Sequence, residues 1–266
     1  MDSIVTPTDR YLCKDSSLYF ISNFCKTLDE HDSKNGAKAF PTDWEIFKLI
    51  CSDLDEALKS DRAPYEIAYP KSRQIMVSWG ICAWLLWLCK YHNNQLAMIQ
   101  SKKKEDSEYQ LKRVKHMLAH LPDGIMQDSP LSSVKQRIDR VEFSNSSIIE
   151  AAPQGGDVVR SRTPTVLFMD EAAFQDEFEA SYGAAKSCCK IIVMASSVNP
   201  GDFQRVVEDT DAEQPGEIGA RAMRPPEWYG DSAGRPRGQG RNADDSEDSR
   251  VPFIRLEPPG RSWKIV

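Results

Sequence analysis

A three-layer α/β sandwich around a mostly parallel central sheet, followed by a poorly ordered C-terminal tail, is the fold class this sequence predicts. Three observations carry that expectation. Strand-length segments recur at residues 65–69 (YEIAY), which alternates, and at 96–100 (LAMIQ), 165–169 (TVLFM) and 190–195 (KIIVMA). Helical periodicity separates them, and strands alternating with helices build a sheet covered on both faces. After about residue 208 the texture changes to Gly, Pro, Arg, Asp and Glu with few aliphatics, the composition of a linker or disordered segment.

The elements follow in order. Residues 18–28 predict a short helix and residues 30–35 a polar loop. Pro41 sits at a helix start, and Trp44, Phe47, Ile50, Leu54 and Leu58 then repeat with helical spacing. Strand 65–69 leads into a polar loop over 70–77 and an apolar helix over 78–91. Strand 96–100 is followed by an amphipathic helix over 106–120, with Leu111, Val114 and Leu118 on one stripe and Pro122 closing it. Residues 140–143 and 147–151 read as two short strands around the turn Ser144-Asn145-Ser146. Strand 165–169, a helix over 174–185 and strand 190–195 complete the set. No internal repeat is visible.

The chain has 266 residues, 40% of them hydrophobic, enough for one substantial domain and a tail. Its formal net charge of -6 is only mildly acidic, so a local basic patch remains free to bind DNA. The seven cysteines include no C-x-x-C pair and define neither a zinc site nor a disulfide framework. Cys82 and Cys89 lie in an apolar run and read as core thiols, so the chain is expected to be reduced and intracellular. Residues 1–10 lack the apolar centre of a signal peptide. The longest apolar stretch, 79–89, is too short to span a bilayer.

Three segments carry chemistry. The first is the loop between strand 65–69 and the following helix: Lys71, Ser72, Arg73, Gln74, Ile75, Met76, Val77, Ser78. The usual phosphate-binding pattern is G-x-x-x-x-G-K-[ST]. Here Ser78 fills the hydroxyl slot, Val77 occupies the lysine slot, and the lysine stands at the front as Lys71. Met76 replaces the second glycine. A loop entering a helix N-terminus presents N–H groups to an anion, and a lysine on its flexible stem reaches the same phosphates from the other end. Taken alone, an ordinary polar turn has the same pattern.

The second segment is the acidic pair Asp170-Glu171 at the end of an apolar strand. Open α/β sheets put ligands at the carboxyl ends of their strands. An aspartate there can serve Mg²⁺, and the adjacent glutamate can deprotonate water. A helix cap followed by a first-turn glutamate gives the same letters. The third segment, Ser196-Ser197-Val198-Asn199-Pro200, closes the strand at 190–195. Its small hydroxyl and amide groups can sense a terminal phosphate, and a plain turn accounts for them equally.

In this order and spacing, the three segments resemble the ATPase domain of tailed-phage terminase large subunits. Residues 71–78 resemble the family's deviant Walker A, residues 166–171 its Walker B with catalytic glutamate, and residues 196–200 its coupling motif. Residues 101–122 and 148–154 are similar to connecting text of the same family. The resemblance covers residues 40–203 and implies a P-loop NTPase-like fold with ATP and Mg²⁺ as cofactors. It implies Lys71 on phosphates, Arg73 as an arginine acting within the chain, and Ser78 and Asp170 on Mg²⁺. Glu171 would activate water, and Ser196, Ser197 and Asn199 would couple hydrolysis to motion. Residues near Phe40 and Pro41 would lie near adenine.

The implied organisation is an N-terminal region over 1–35, the ATPase domain over 36–208 and a linker or tail over 209–266, without the family's nuclease half. The implied partners are double-stranded DNA, a portal protein, a small terminase subunit and further copies of the chain, in the host-cell cytoplasm. Alternatives from other classes are a helicase-like nucleic-acid translocase, and a catalytically defective module that binds DNA or portal.

Several other features read as scaffold. His116 and His120 have zinc-pair spacing but no evident third ligand, and read as a solvent-exposed pair. Lys102, Lys103 and Lys104 read as a solvated loop. Trp79, Trp84 and Trp87 read as core. The acidic run 244–248 reads as solvated charge. Arg221, Arg224, Arg235, Arg237 and Arg241 form a diffuse basic tail that touches DNA phosphate weakly or simply keeps the tail soluble.

Overall fold

The computed structural model describes residues 5–28, 36–42, 45–71, 76–126, 134–197 and 201–213, the last six without their side chains. In chain order the elements begin with helices α1 (Pro7–Asp15) and α2 (Ser17–Phe24), strands β1 (Lys26–Leu28) and β2 (Ala37–Ala39), and helix α3 (Glu45–Lys59). Strand β3 (Tyr65–Pro70), helix α4 (Val77–Tyr91), strand β4 (Leu96–Gln100), and helices α5 (Lys104–Ala119) and α6 (Asp123–Met126) follow. Then come strands β5 (Lys135–Gln136), β6 (Arg140–Glu142) and β7 (Ile148–Ala151), and helix α7 (Gly156–Arg162). Strand β8 (Val166–Asp170), a 3₁₀ turn (Ala172–Phe174), helix α8 (Phe178–Cys188), strand β9 (Ile191–Ser196) and helix α9 (Asp202–Glu213) close the described chain.

The main sheet has seven strands in the order β3-β9-β8-β4-β7-β6-β5. The strands from β3 to β7 are parallel, and β6 and β5 extend the edge antiparallel. The four strands expected from the sequence are neighbours from the β3 edge inward, and the expected three-layer α/β class is what the chain adopts. Period-2 alternation sorts their side chains to two faces. Ile67, Ala97, Ile99, Val166, Phe168, Ile191 and Val193 share one core with residues of α2, α3, α4 and α5. Ala68, Met98, Leu167, Met169, Ile192 and Met194 share the other with residues of α7, α8 and α9. On that second face α7 lies backbone against backbone on α8, for a Cβ at Gly156 would stand 2.5 Å from the Ala180 carbonyl oxygen.

Helix α4 is buried along nearly its whole length, as a helix apolar on all sides must be. Its tryptophans need polar partners for their indole N–H groups. Trp87 Nε1 donates to the Cys13 carbonyl of α1 at 2.8 Å, and Trp84 Nε1 to Asp55 of α3 at 2.7 Å. Ser17 of α2 donates to the other Asp55 oxygen at 2.9 Å. Residues Cys13, Phe20, Ile21 and Phe24 thus belong to the same core as α4. Among the described residues, no helix is long and apolar enough to cross a membrane.

Burial raises the Asp55 carboxyl above the ordinary carboxylate value, against the lowering influence of its Trp84 and Ser17 hydrogen bonds. Folding therefore favours the protonated form. That contribution is full below the unfolded aspartate pKa and is lost as pH rises through the folded one. Asp55→Asn keeps an acceptor for Trp84 and a donor for Ser17 and does not titrate. Its stability relative to wild type is expected to improve from acid toward neutral pH. Asp55→Ala strands the Trp84 N–H and costs about 1–3 kcal/mol. Melting curves from acid to neutral pH check both; a pH-independent difference between Asp55→Asn and wild type contradicts the reasoning.

The expectations differ from the structure at helix ends and at weakly amphipathic segments. The helix expected over 18–28 stops at Phe24, and Lys26–Leu28 instead pairs antiparallel with Ala37–Ala39. The helix expected from 174 begins at Phe178, because the 3₁₀ turn intervenes. Helix α1 was not anticipated, although Thr6 caps it: Asp9 N–H donates to Thr6 Oγ1 at 3.1 Å, and Thr6 N–H donates to the Asp9 carboxylate at 2.8 Å. Helix α9, also unanticipated, runs through position 208. The acidic run 244–248 and the arginines from 221 to 241 lie outside the described residues.

Candidate active site

Parallel strands β3, β9 and β8 end at one edge of the sheet, and register fixes what meets there. Pro70 pairs with Ser196 and Asp170 with Ala195. Lys71, Asp170, Glu171 and Ser196 therefore emerge within a residue or two of a common line. Helix α4, which follows β3, covers one face of the sheet, and α8, which follows β8, covers the other. The carboxyl edge between such strands is the crevice where α/β sheets bind ligands.

Lys71 stays tied to the sheet through its N–H, which donates to the Ser196 carbonyl at 2.8 Å. Its ammonium donates to Glu171 Oε1 at 3.0 Å and lies 3.9 Å from Asp170 Oδ1. Ser78, one residue into α4, donates to Asp170 Oδ1 at 2.7 Å. The structure thus brings Lys71, Ser78, Asp170 and Glu171 together from segments about a hundred residues apart. Asp170 is only 3% exposed. Burial raises its pKa from the ordinary value, against the opposing pull of Lys71 and the Ser78 hydrogen bond. A carboxylate held under that penalty has chemistry to do or is a structural ion-pair member.

Two of the five described non-glycine residues with positive φ adjoin the Ser78–Asp170 contact; the others are Asn94, Ser146 and Thr163. Met76 adopts φ 59°, ψ 16° and Glu171 φ 50°, ψ 43°, both left-handed. Each costs about 1–3 kcal/mol in a residue with a side chain, and such strain gathers at functional sites. Met76 thus takes the conformation a glycine would take in the same slot. The strained residues flank the Ser78–Asp170 contact, one before Ser78 and one after Asp170. Val77, in the slot that usually holds lysine, is buried in the core, so a cation there would have no exit.

Ser196 is fully buried. Its carbonyl accepts from Lys71, and its hydroxyl accepts from the Ala173 N–H at 3.1 Å. It joins the end of β3 to the turn that leaves β8. Ser197 follows it, half-buried. Ser72, Arg73, Gln74, Ile75 and Asn199 lie outside the described residues.

Three side chains at the site were missed from the sequence. Gln110 of α5 donates to Asp170 Oδ2 at 2.5 Å, Arg113 donates to Gln110 Oε1 at 2.7 Å, and Gln175 donates to the Asp170 carbonyl at 3.0 Å. The available signal was the interruption of the buried α5 stripe by Ser107 and Gln110, polar groups that burial obliges to find partners.

The donor set suits a hard divalent cation beside a polyanion. Ser78 and Asp170 offer hydroxyl and carboxylate oxygens of the kind Mg²⁺ prefers, and Lys71 supplies the nearby positive charge. The histidine pair fits no such group. The His116 and His120 rings lie 4.2 Å apart, tilted by 37°, and among the described residues no three His, Cys, Asp or Glu side chains form a metal cluster. His120 is exposed as expected, but His116 is half-buried against Trp79. Lys102, Lys103 and Lys104 are exposed, and Trp79, Trp84 and Trp87 are buried, both as read from the sequence.

No protein-family model and no curated protein matches the chain. Among solved structures, the large terminase of bacteriophage HK97 superposes with a TM-score of 0.57 over 80% of this chain, at 13% identity. This chain shares its fold with a phage large terminase. The large-terminase ATPase domain of Thermus phage P74-26 also aligns, with a TM-score of 0.43 and 12% identity over 61% of this chain and 68% of that one. At 13% identity the likeness to the HK97 protein is one of fold. The chain spans 44% of the HK97 large terminase.

Proposed function

We propose that this chain is the ATP-hydrolysing motor part of a terminase large subunit, driving double-stranded DNA into a viral procapsid. The observation that carries the reading is the convergence of Lys71, Ser78, Asp170 and Glu171 on one sheet edge. A cation, a hydroxyl and two acids from distant segments are what binding and hydrolysing a metal–triphosphate require.

Lys71 binds phosphate oxygens and in doing so releases Glu171, its present partner at 3.0 Å. Freed of that ion pair, the Glu171 carboxylate takes the proton of a water aimed at the terminal phosphorus. Ser78 and Asp170 would hold Mg²⁺, which when bound would supply positive charge beside the phosphates. Arg73, carried by the resemblance, adds positive charge from the same loop. Ser196 touches both the Lys71 backbone and the Ala173 N–H, so a change at either reaches the other. With Ser197 and Asn199 it passes the loss of phosphate to a moving subdomain.

In this reading the ATPase domain spans residues 36–208. The motor works in the host-cell cytoplasm as several copies on a portal ring, with a small terminase subunit, and grips DNA through backbone phosphates because translocation must ignore sequence. The test is Mg²⁺-dependent ATP hydrolysis by the purified chain, beside equilibrium nucleotide binding. Lys71→Ala is expected to weaken nucleotide binding roughly ten- to a hundredfold, the worth of one charge-assisted hydrogen bond. A folded wild-type chain that neither binds nor hydrolyses ATP overturns the proposal.

A further inference from the structure

The second oxygen of Asp170 is held as tightly as the first. Oδ1 accepts from Ser78 at 2.7 Å, and Oδ2 accepts from the Gln110 amide nitrogen at 2.5 Å. A glutamine can present either end of its amide, and only the NH₂ end suits a carboxylate. What selects that end is on the far side of Gln110. Arg113 Nη1 donates to Gln110 Oε1 at 2.7 Å, and the Cys82 thiol lies 4.0 Å from the same oxygen. A guanidinium has donors only, so the amide oxygen must face Arg113 and the amide nitrogen must face Asp170. Gln110 is 6% exposed, which leaves little room for water to substitute.

Arg113 lies between two rings. Its guanidinium carbon lies 5.3 Å from the ring centroid of Trp79 and 5.3 Å from that of Tyr109, within cation–π range of both. Trp79 directly follows Ser78 in α4, so neighbouring residues supply the hydroxyl on one Asp170 oxygen and the platform for the arginine that orders the other. Trp79 packs in turn on Phe40, ring centroids 6.2 Å apart.

We propose that Gln110 is the positioning residue for Asp170, with Arg113 setting the orientation of its amide, so that Oδ2 is locked inward and Oδ1 is turned with Ser78 toward a divalent cation. The role rests on the nucleotide-motor reading above. Groups that orient a metal-binding carboxylate typically matter ten- to a hundredfold in metal affinity or activity.

The test compares wild type, Gln110→Leu and Arg113→Met in three measurements: thermal melting, ATP binding in EDTA, and a Mg²⁺ titration of ATP hydrolysis. Gln110→Leu is expected to raise the half-saturating Mg²⁺ concentration roughly ten- to a hundredfold. Metal-free ATP binding stays unchanged, and kcat recovers largely at saturating Mg²⁺. Arg113→Met, which frees the amide to turn over, shifts the Mg²⁺ requirement in the same direction by less. A role confined to packing would lower melting without moving the metal requirement. Folded Gln110→Leu protein with a wild-type Mg²⁺ curve overturns the proposal. Should that variant not fold, an unchanged Mg²⁺ curve for Arg113→Met overturns it equally. A wild-type chain without Mg²⁺-dependent nucleotide binding removes the motor reading and this role together, and that result is distinct from an active wild type with indifferent variants.

Discussion

Glu171→Gln is expected to lower ATP turnover by roughly 10²–10⁴-fold, the usual contribution of a positioned general base, while leaving Mg²⁺·ATP binding near the wild-type level. The substitution isolates proton transfer. Glutamine has the shape of glutamate, and its amide oxygen still accepts from Lys71, which now sits 3.0 Å from Glu171 Oε1. Residue 171 keeps a Cβ at φ 50°, so the backbone strain is the same in both proteins. Only the capacity to take a proton is removed. Lys71 is sheltered and Glu171 half-open, with side chains 9% and 36% exposed, so melting is recorded beside turnover to read what loss of the ion pair costs. Single-turnover phosphate release, beside equilibrium binding of ATP, separates the two effects. Turnover within a few-fold of wild type would remove Glu171 from the mechanism, and turnover and binding lost together would point to a damaged site.

Strands β4, β8 and β9 were legible because a strand buried on both faces is a near-continuous apolar run, whatever covers it, and the edge strand β3 because it alternates. Asp170 and Lys71 were legible because each stands where such a strand meets polar sequence. Gln110 and Arg113 were not, since their role depends on how α5 docks against α4 and the sheet. In sequence they are two polar letters on an amphipathic helix. Helix α1 announces itself only through Thr6, Pro7 and Asp9, a capping box with proline at the first position. Only Cys13 of that helix is buried, so no apolar stripe supports the signal. Strand β1 exists by pairing with β2 across residues 29–35, a partner that no local pattern declares. Met76 is the most instructive position. Local preference disfavours a left-handed methionine, and the sequence shows simply a missing glycine. Helix α4, buried along nearly its whole length, fixes where the loop must enter, and tertiary packing overrides the local preference.

Asp170→Asn is expected to separate stability from function in opposite directions. Asp170 is 3% exposed, and burial raises its pKa even against the pull of Lys71 and Ser78, so the surroundings disfavour its charge. Asparagine fits the same contacts without that charge. Its oxygen accepts from Gln110, its amide nitrogen donates to the Ser78 hydroxyl, which can accept as well as donate, and Lys71 retains Glu171 at 3.0 Å. The melting temperature of the variant is therefore expected to rise. The same change takes an anionic oxygen from the one place where Ser78 and a carboxylate converge. Mg²⁺-dependent nucleotide affinity is then expected to fall roughly 100-fold or more, at or beyond the upper end of what disturbing a merely supporting group costs a metal site. Nucleotide binding in EDTA should be untouched, because Lys71 is still there. Melting curves in EDTA and nucleotide titrations with and without Mg²⁺ read all three quantities. A variant that melts below wild type yet keeps its Mg²⁺ dependence would make Asp170 a structural ion-pair member, and the strain at Met76 and Glu171 would then need another reason to exist.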